Sequence, residues 1–296
     1  MIHIEQAGFG ATVQDGGRVA HLRSGVPQSG PADPFAFRAA QALVGNTAAD
    51  AAIEVVGLPF TFRCDDARLV CVTGREVTVT VRDSLPGWGS VFVRGGEMVR
   101  VSGTARTRYA YVAVSGGIAS EVMLGSRSVY QRAGLGRALE AGDALPLGAP
   151  RRTAVDAGSR IPYEYGEEVA AIVGPHEDRF DPAAVERFFT SAFTVSALGD
   201  RQGLRLAGPA IAPDDREILT CGVVTGAVQV PRDGEPIVLL ADHQTTGGYP
   251  IIATVTQDDI GRVAQRAAGE RLRFYRVERD AALARGRALG ALLASA

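Results

Sequence analysis

The feature of this chain that most constrains its fold is a series of short runs in which apolar and polar residues alternate. Runs with this alternation, or with a short apolar stretch, occur along both halves, for example at 68–73 (RLVCVT), 76–81 (EVTVTV), 108–115 (RYAYVAVS) and 249–255 (YPIIATV), and Gly, Asp or Pro bounds them. A period of two is typical of β-strands, and many short strands with tight turns indicate a barrel or a sandwich. The sequence therefore predicts a mainly β fold with minor α content.

A few helices are expected between these strands. Asp33 has the position and the side chain of an N-cap, Pro34 suits the first helical residue, and Gly45 suits the C-terminal stop. A second Asp-Pro pair at 181–182 predicts another helix start, and residues 279–294 have the composition of a terminal helix.

The length of 296 residues is enough for about two domains. Residues 151–162 (RRTAVDAGSRIP) are polar and contain Gly and Pro, which is typical of a domain boundary. The sequence predicts an N-terminal domain over 1–150, a linker over 151–162 and a second domain over 163–296.

The basic residues are unusual, because all 31 are arginines and the chain has no lysine. This excludes a lysine Schiff base, a phosphate-loop lysine and a biotinylated lysine, so no covalent biotin is expected on this chain. Arginines can still hold carboxylates and phosphates through two parallel hydrogen bonds. The formal net charge of −2 gives no reason to expect a nucleic acid as partner.

Three patterns predict a cytoplasmic protein without membrane contact. The three cysteines are odd in number and lack C-x-x-C spacing, as in reduced proteins. The first residues lack the basic and apolar stretches of a signal peptide, and no uncharged apolar run approaches the roughly 18 residues of a membrane span.

The segment LLADHQTTGGYP (239–250) concentrates polar groups and glycines, and it has two interpretations. The first is a β-hairpin between strands at 236–242 and 249–255, in which Gly247 and Gly248 supply positive φ angles.

The second interpretation is a ligand-binding loop. Gln244, Thr245, Thr246 and the glycine amides can bind an anion or an amide, and Asp242 can act as an acid or a base. His243 lies in this segment, but the chain has no H-x-H or H-x₃-H spacing, so no metal site is predicted. The residues alone leave both interpretations open.

Two further clusters could line a site. Arg201 and Arg205 point to the same side if the chain is extended there, which gives either a two-arginine clamp for a carboxylate or a solvated strand edge. Gln14, Asp15 and Arg18 surround a Gly-Gly turn, which is either structural or part of a site.

Longer stretches match one known family nearly from end to end. They include TVQDGGR (12–18), SGPADPFAFRAAQALVGN (29–46), LGSRSVY (124–130), DRQGLRLAG (200–208) and the long block at 216–255. In these stretches the chain resembles the family known as the C subunit of 5-oxoprolinase, KipA or allophanate hydrolase subunit 2, which also forms half of the carboxyltransferase region of urea carboxylase. The resemblance implies two cyclophilin-like β-barrels.

The resemblance also implies the site residues, through a family motif similar to D-x-Q-T-T-G-G-Y-P. It favours catalytic roles for Asp242, Gln244, Thr245 and Thr246, whereas His243 occupies the variable position and is interpreted as a bystander. The residues predicted to bind substrate are Arg201, Arg205, Gly247, Gly248, Tyr249, Gln14, Asp15 and Arg18.

Two departures from the family pattern bear on these roles. The loop over Val129–Arg137 is shorter than the Gly-rich loop that the family often has there, and Val129 replaces a threonine. Asp200 stands where asparagine is usual, which adds a negative charge. Contacts to substrate or partner are therefore expected to differ near both positions.

As function, the resemblance implies one component of an ATP-dependent bacterial 5-oxoprolinase, which opens the 5-oxoproline lactam to glutamate. The implied partners are the two other 5-oxoprolinase subunits, one KipI-like and one LamB/YcsF-like; ATP is used by the complex, and the sequence does not locate its site. One alternative is a carboxyltransferase-type subunit of a urea- or allophanate-metabolising system, with biotin on a separate carrier. Another is a non-catalytic KipA-type antagonist of a KipI-like kinase inhibitor.

Overall fold

The structure is a computed structural model that describes residues 1–152 and 156–294. It confirms the mainly β fold, with four α-helices in the described part. The chain packs into two compact units. The first unit comprises Met1–Arg18, Ser29–Glu164 and Ala291–Ala296, and the second comprises Val19–Gln28 and Tyr165–Gly290. Residues 153–155 and 295–296, within the ranges of the first unit, lie outside the described residues.

The predicted division into 1–150, 151–162 and 163–296 stays a prediction, but the structure describes most of the linker. Within the first unit, the backbone N–H of Gly158 donates to the Ser90 carbonyl (3.0 Å), and that of Ile161 donates to the Trp88 carbonyl (3.1 Å). This part of the segment is thus fixed to a strand edge by backbone hydrogen bonds.

The first unit contains two sheets and one helix. The elements are β1 (Ile2–Gln6), β2 (Gly10–Gln14), α1 (Pro34–Leu43), β3 (Ala52–Val56), β4 (Phe60–Cys64), β5 (Arg68–Gly74), β6 (Thr78–Thr80), β7 (Ser84–Pro86), β8 (Ser90–Val93), β9 (Met98–Ser102), β10 (Ala110–Val114) and β11 (Ala144–Leu145). The sheet orders are β11-β1-β4-β9-β6-β7 and β2-β3-β10-β5-β8.

Strands β5 and β10 are buried along their whole length because both faces of their sheet are covered. On one face, Val70, Val72 and Val112 join a core that includes Phe60 and Phe62 of the other sheet. On the opposite face, α1 packs across β5 and β10. Burial on both sides explains why RLVCVT is a nearly continuous apolar run.

The start of α1 is anchored by a buried carboxylate. Asp33 caps the helix by accepting from the Ala36 N–H (3.0 Å), as predicted. Glu54 on β3 accepts from the Ala32 N–H (2.9 Å) and from the Tyr111 hydroxyl (2.8 Å). The same hydroxyl accepts from the Asp33 N–H (2.7 Å), so one phenol joins the carboxylate to the helix cap. Gly45, with φ of +74°, follows the end of the helix.

The second unit contains a closed barrel. Its elements are β12 (Glu168–Val173), α2 (Pro182–Thr190), β13 (Ala192–Gly199), β14 (Gly203–Ala207), β15 (Cys221–Gly222), β16 (Ala227–Gln229), β17 (Ile237–Leu239), β18 (Thr246–Gly247), β19 (Ile251–Val255), α3 (Ile260–Ala264), β20 (Arg271–Arg276) and α4 (Arg279–Ala294). The barrel order is β12-β19-β16-β17-β14-β13-β20, and β20 pairs with β12 in parallel to close it.

Helix α2 begins at the predicted Asp-Pro pair and packs on the barrel. Asp181 caps it by accepting from the Ala183 N–H (2.8 Å). Phe188 of α2 stacks on Phe274 of β20, with 4.6 Å between ring centroids, and Phe193 of β13 lies beside both. Along 1–152 and 156–294, no helix combines the length and the apolar character needed to cross a bilayer.

The buried phenol of Tyr111 provides a test of the helix anchor. Burial, together with the Glu54 and Asp33 carboxylates, raises the pKa of Tyr111 well above its usual value, so the hydroxyl remains a donor. We expect Tyr111→Phe to lower the free energy of unfolding by about 1–3 kcal/mol, because it removes the hydroxyl that accepts from the Asp33 N–H and one of the donors to the buried Glu54 carboxylate. Urea denaturation measures this. Tyr249→Phe, at a half-exposed tyrosine, is the control; equal stability of both variants would contradict the anchor.

Candidate functional site

Residues 240–250 cross from one barrel strand to another and do not form a hairpin. Strand β16 lies between β17 and β19 and pairs with both, so the segment has to pass it. Gly247 and Gly248 both have φ outside the left-handed region. Part of the segment, β18, pairs instead with β15. The hairpin interpretation is therefore wrong, because the strand order places β16 between the two strands that flank the loop.

Gly247 lies close to a buried side chain. A Cβ atom at this position would lie 2.3 Å from Nε2 of Gln229. Gln229 is 2% exposed, and its Oε1 accepts from Nε2 of Gln244 (3.0 Å). Its Nε2 is buried and has no hydrogen-bond partner among the described residues. The chain thus keeps a buried amide donor directly beneath the loop, which costs stability.

Asp242 at the start of the loop is held by Arg201. Nε of Arg201 donates to Oδ2 of Asp242 (2.7 Å) and Nη2 donates to Oδ1 (3.1 Å), a two-bond arrangement. The Asp242 N–H also donates to the Arg201 carbonyl (2.8 Å). Both side chains are largely buried, with 17% and 11% of Arg201 and Asp242 exposed. Backbone and side chain thus join the loop to the segment before β14.

Arg205 does not share a carboxylate with Arg201. Its Nη1 donates to Asp233 (2.8 Å) and to Glu235 (3.0 Å), and these hydrogen bonds raise the pKa of Arg205. Each arginine of the predicted clamp therefore already binds acidic side chains of the chain itself. Binding of one substrate carboxylate by both Arg201 and Arg205 stays a prediction.

His243 has a structural position. Its ring is 2% exposed, and Nδ1 donates to the Gln244 carbonyl (2.6 Å). Burial lowers the pKa of His243, which favours the neutral ring. In the part of the chain that the structure describes, no group of three or more His, Cys, Asp or Glu side chains is arranged to hold a metal ion.

The later half of the loop presents polar groups to solvent. The Thr245 carbonyl accepts from the Val223 N–H (3.1 Å), which fixes the backbone. Gln244, Thr246 and Gly248 are exposed, and Tyr249 is 50% exposed. A rigid base with exposed hydroxyl, amide and phenol groups is suited to binding a small polar molecule.

In the first unit, Asp15 is enclosed by the LGSRSVY segment. Its Oδ1 accepts from the hydroxyls of Ser126 (2.5 Å) and Ser128 (2.7 Å) and from the Gly17 N–H (2.9 Å). Its Oδ2 accepts from the Arg127 N–H (2.6 Å). Burial opposes ionisation, but these hydrogen bonds outweigh it and hold the pKa of Asp15 below its usual range. The two serines were not predicted as site residues, although their motif contributes to the family resemblance.

Gln14 and Arg18 bind the same segment. Arg18, 1% exposed, donates from Nη2 to the Ser128 carbonyl and from Nε to the Met123 carbonyl (3.3 Å). Gln14 donates to the Val129 carbonyl (3.2 Å). Two motifs more than 100 residues apart therefore form one hydrogen-bonded cluster. Contacts of its members with a substrate stay a prediction.

The low pKa of Asp15 makes its contribution to stability depend on pH. The folded state favours the carboxylate, so this stability is present above the ordinary aspartate pKa of about 4 and is lost as the pH falls through the lower folded value. We expect Asp15→Asn to cost at least about 2 kcal/mol at pH 7 and less at pH 3. Denaturation at both pH values tests this, with the exposed Asp83→Asn as control; a pH-independent loss contradicts the assignment.

The comparisons with known proteins agree with this architecture. A family model described as carboxyltransferase domain, subdomain A and B, matches residues 24–276. The chain is 34% identical to the C subunit of the 5-oxoprolinase of Escherichia coli (strain K12) over 290 residues, which cover 96% of this chain and 93% of that protein.

The chain is also similar to parts of larger proteins. It is 28% identical to the urea amidolyase of Saccharomyces cerevisiae over 305 residues, 92% of this chain and 16% of that protein. The crystal structure of the K. lactis urea amidolyase superposes with a TM-score of 0.85 at 24% identity, over 99% of this chain and 20% of that chain, a likeness of fold. Because the family model and the bacterial relative each span most of its length, the chain belongs to the carboxyltransferase-domain family, with subdomains A and B.

Proposed function

We propose that this chain is a subunit of an ATP-dependent 5-oxoprolinase complex that hydrolyses the 5-oxoproline lactam to glutamate. The observation that carries the proposal is the loop at 242–249, which the Arg201–Asp242 pair fixes at its start and which presents exposed polar groups. A crossing between two strands needs none of these groups. The similarity to a protein named as the C subunit of 5-oxoprolinase, over nearly all of both chains, supports the reaction.

The reaction defines what the loop has to supply. Water adds to the lactam carbonyl carbon, the C–N bond breaks, and a proton reaches the leaving nitrogen, while a second water hydrolyses ATP to ADP and phosphate within the complex. Hydroxyls of Thr245 and Thr246 and the glycine amides are suited to stabilise the developing oxyanion, and Gln244 to orient the lactam. Asp242 is proposed to act as acid or base, with Arg201 holding it in place.

Binding of the substrate carboxylate is proposed for the arginines near β14. Arg201 and Arg205 already donate to Asp242, Asp233 and Glu235, so a substrate would share their remaining donors. Tyr249 is proposed to cover the ring. In the first unit, Asp15 and its neighbours are proposed to act by fixing loop 124–130.

The remaining parts of the proposal concern the complex. A KipI-like protein and a LamB/YcsF-like protein are proposed as the partner subunits, since the name of the bacterial relative makes it one subunit of several. ATP is proposed to bind within the assembly. This chain has no lysine for a phosphate loop, so we assign none of its residues to ATP. The cytoplasm is proposed as its location.

A second candidate is a carboxyltransferase-type subunit that acts on urea or a related amide. The similarity to a urea amidolyase over 92% of this chain favours it. Since the chain has no lysine, biotin would have to come on a separate carrier. Carboxyl transfer from a carboxybiotin carrier to urea, without any glutamate formation from 5-oxoproline, would support this candidate.

The direct test is reconstitution with the KipI-like and LamB/YcsF-like proteins. Glutamate release from 5-oxoproline is measured with and without ATP, and with this chain omitted. Release that needs both ATP and this chain supports the proposal. A stable complex without release contradicts it and leaves the carboxyltransferase and the non-catalytic antagonist.

Within an active complex, we expect Asp242→Asn to reduce turnover at least a hundredfold, because the amide can neither exchange a proton nor pair with the guanidinium of Arg201. Asp66→Asn is the matched control, since Asp66 forms the same two-bond pair with Arg68 outside the loop. Loss of one limb of the pH–rate profile indicates proton transfer by Asp242. Lower turnover with an unchanged profile indicates a positioning role, and unchanged turnover contradicts both.

A further inference from the structure

We propose that an open groove in the second unit, beside Gly248 and Tyr249, binds a small carboxylate that also carries an N–H group, such as an amino acid or its lactam. The groove has a volume of about 600 Å³, which lies within the usual range of small-molecule sites. Three loop segments line it, at 213–220, 230–233 and 248–250. The segment 248–250 overlaps the loop at 242–249, on which the proposed function rests.

Three of the charged side chains that line the groove, Asp214, Arg216 and Asp233, already have partners. Asp214 accepts from Arg216 (2.6 Å) and from Arg179 (2.7 Å), and these hydrogen bonds hold the pKa of Asp214 far below its usual range. Asp233 accepts from Arg205 (2.8 Å). These hydrogen bonds engage both carboxylates and fix the shape of the walls.

Arg232 and Glu217 are different. Both line the groove and both are exposed, and within 1–152 and 156–294 neither side chain forms a hydrogen bond or an ion pair. The groove therefore offers one unpaired cation and one unpaired anion. A ligand that complements both carries a negative group and an N–H donor.

Other residues that line the groove are suited to contact the hydrocarbon part of such a ligand. Val230 and Pro250 are buried, and they provide apolar surface at the floor. The Tyr249 ring, 50% exposed, and the Thr220 hydroxyl stand at the rim. A guanidinium holds a carboxylate through two parallel hydrogen bonds, and the Glu217 carboxylate accepts from an amide or ammonium N–H.

This inference deepens the proposed function and rests on it only for the choice of 5-oxoproline and glutamate as probes. It assigns carboxylate binding to Arg232, which is unpaired, in addition to Arg201 and Arg205, which are engaged by carboxylates of the chain. Because Arg232 and Glu217 are exposed, we expect weak binding that weakens further as salt is added.

The test is a ligand-observed NMR titration of the full chain with 5-oxoproline, glutamate and cyclopentanecarboxylate, which has the ring and the carboxylate but no N–H. We expect Arg232→Ala to weaken all three at least tenfold. Glu217→Gln should weaken 5-oxoproline and glutamate several-fold and leave cyclopentanecarboxylate unchanged. Arg287→Ala, at an exposed arginine of α4 outside the groove, is the matched control and should change nothing.

The outcomes separate this inference from the proposed function. Absence of saturable binding, or an equal loss in Arg232→Ala and Arg287→Ala, overturns the groove as a site. Binding with the expected pattern, in a complex that releases no glutamate, supports the groove and contradicts the 5-oxoprolinase proposal. Glutamate release that Arg232→Ala leaves unchanged at subsaturating substrate overturns the placement of the substrate carboxylate on Arg232.

Discussion

The parallel pairing of β12 with β20 closes the barrel of the second unit, and the arrangement of the loops depends on that closure. Its register joins Glu168 to Arg273 and Ala171 to Arg276. A closed barrel leaves no unpaired edge, so every strand has two fixed neighbours. Within this closed order, β16 pairs with both β17 and β19 and separates them. The connections at 213–220, 230–233 and 248–250 then converge around one groove.

Two buried aspartates show how differently a negative charge can be stabilised in this chain. Asp15 is surrounded by neutral donors, two hydroxyls and two backbone N–H groups, which stabilise its charge through hydrogen bonds. Asp242 receives two hydrogen bonds from a single cation, Arg201. The first arrangement fixes a loop through several contacts. The second fixes the loop through one ion pair, Arg201–Asp242, which lies beside exposed polar groups.

Family membership and local chemistry contribute different parts of the functional argument. Membership in the carboxyltransferase-domain family fits both a 5-oxoprolinase component and a urea-metabolising one, because the same domain occurs alone and within larger proteins. Because the sequence has no lysine, we propose that in either case any biotin is carried by a separate protein. We propose that the polar loop at 242–249 and the groove with Arg232 and Glu217 form a small-molecule site, a feature that a purely antagonistic module does not need.

Local patterns in the sequence were enough to predict the mainly β class and the starts of α1 and α2, because alternation and Asp-Pro caps act within a few residues. They also identified the polar loop, whose residues are contiguous. The path of that loop could not be predicted in this way, since the order of the strands is set by tertiary pairing. The same holds for the partners of Arg205 and Asp15: Glu235 lies 30 residues away and Ser126 lies 111 residues away, separations over which local patterns carry no information. Short-range sequence patterns determine the strands and helices, but only tertiary packing brings side chains that are distant in the sequence into contact.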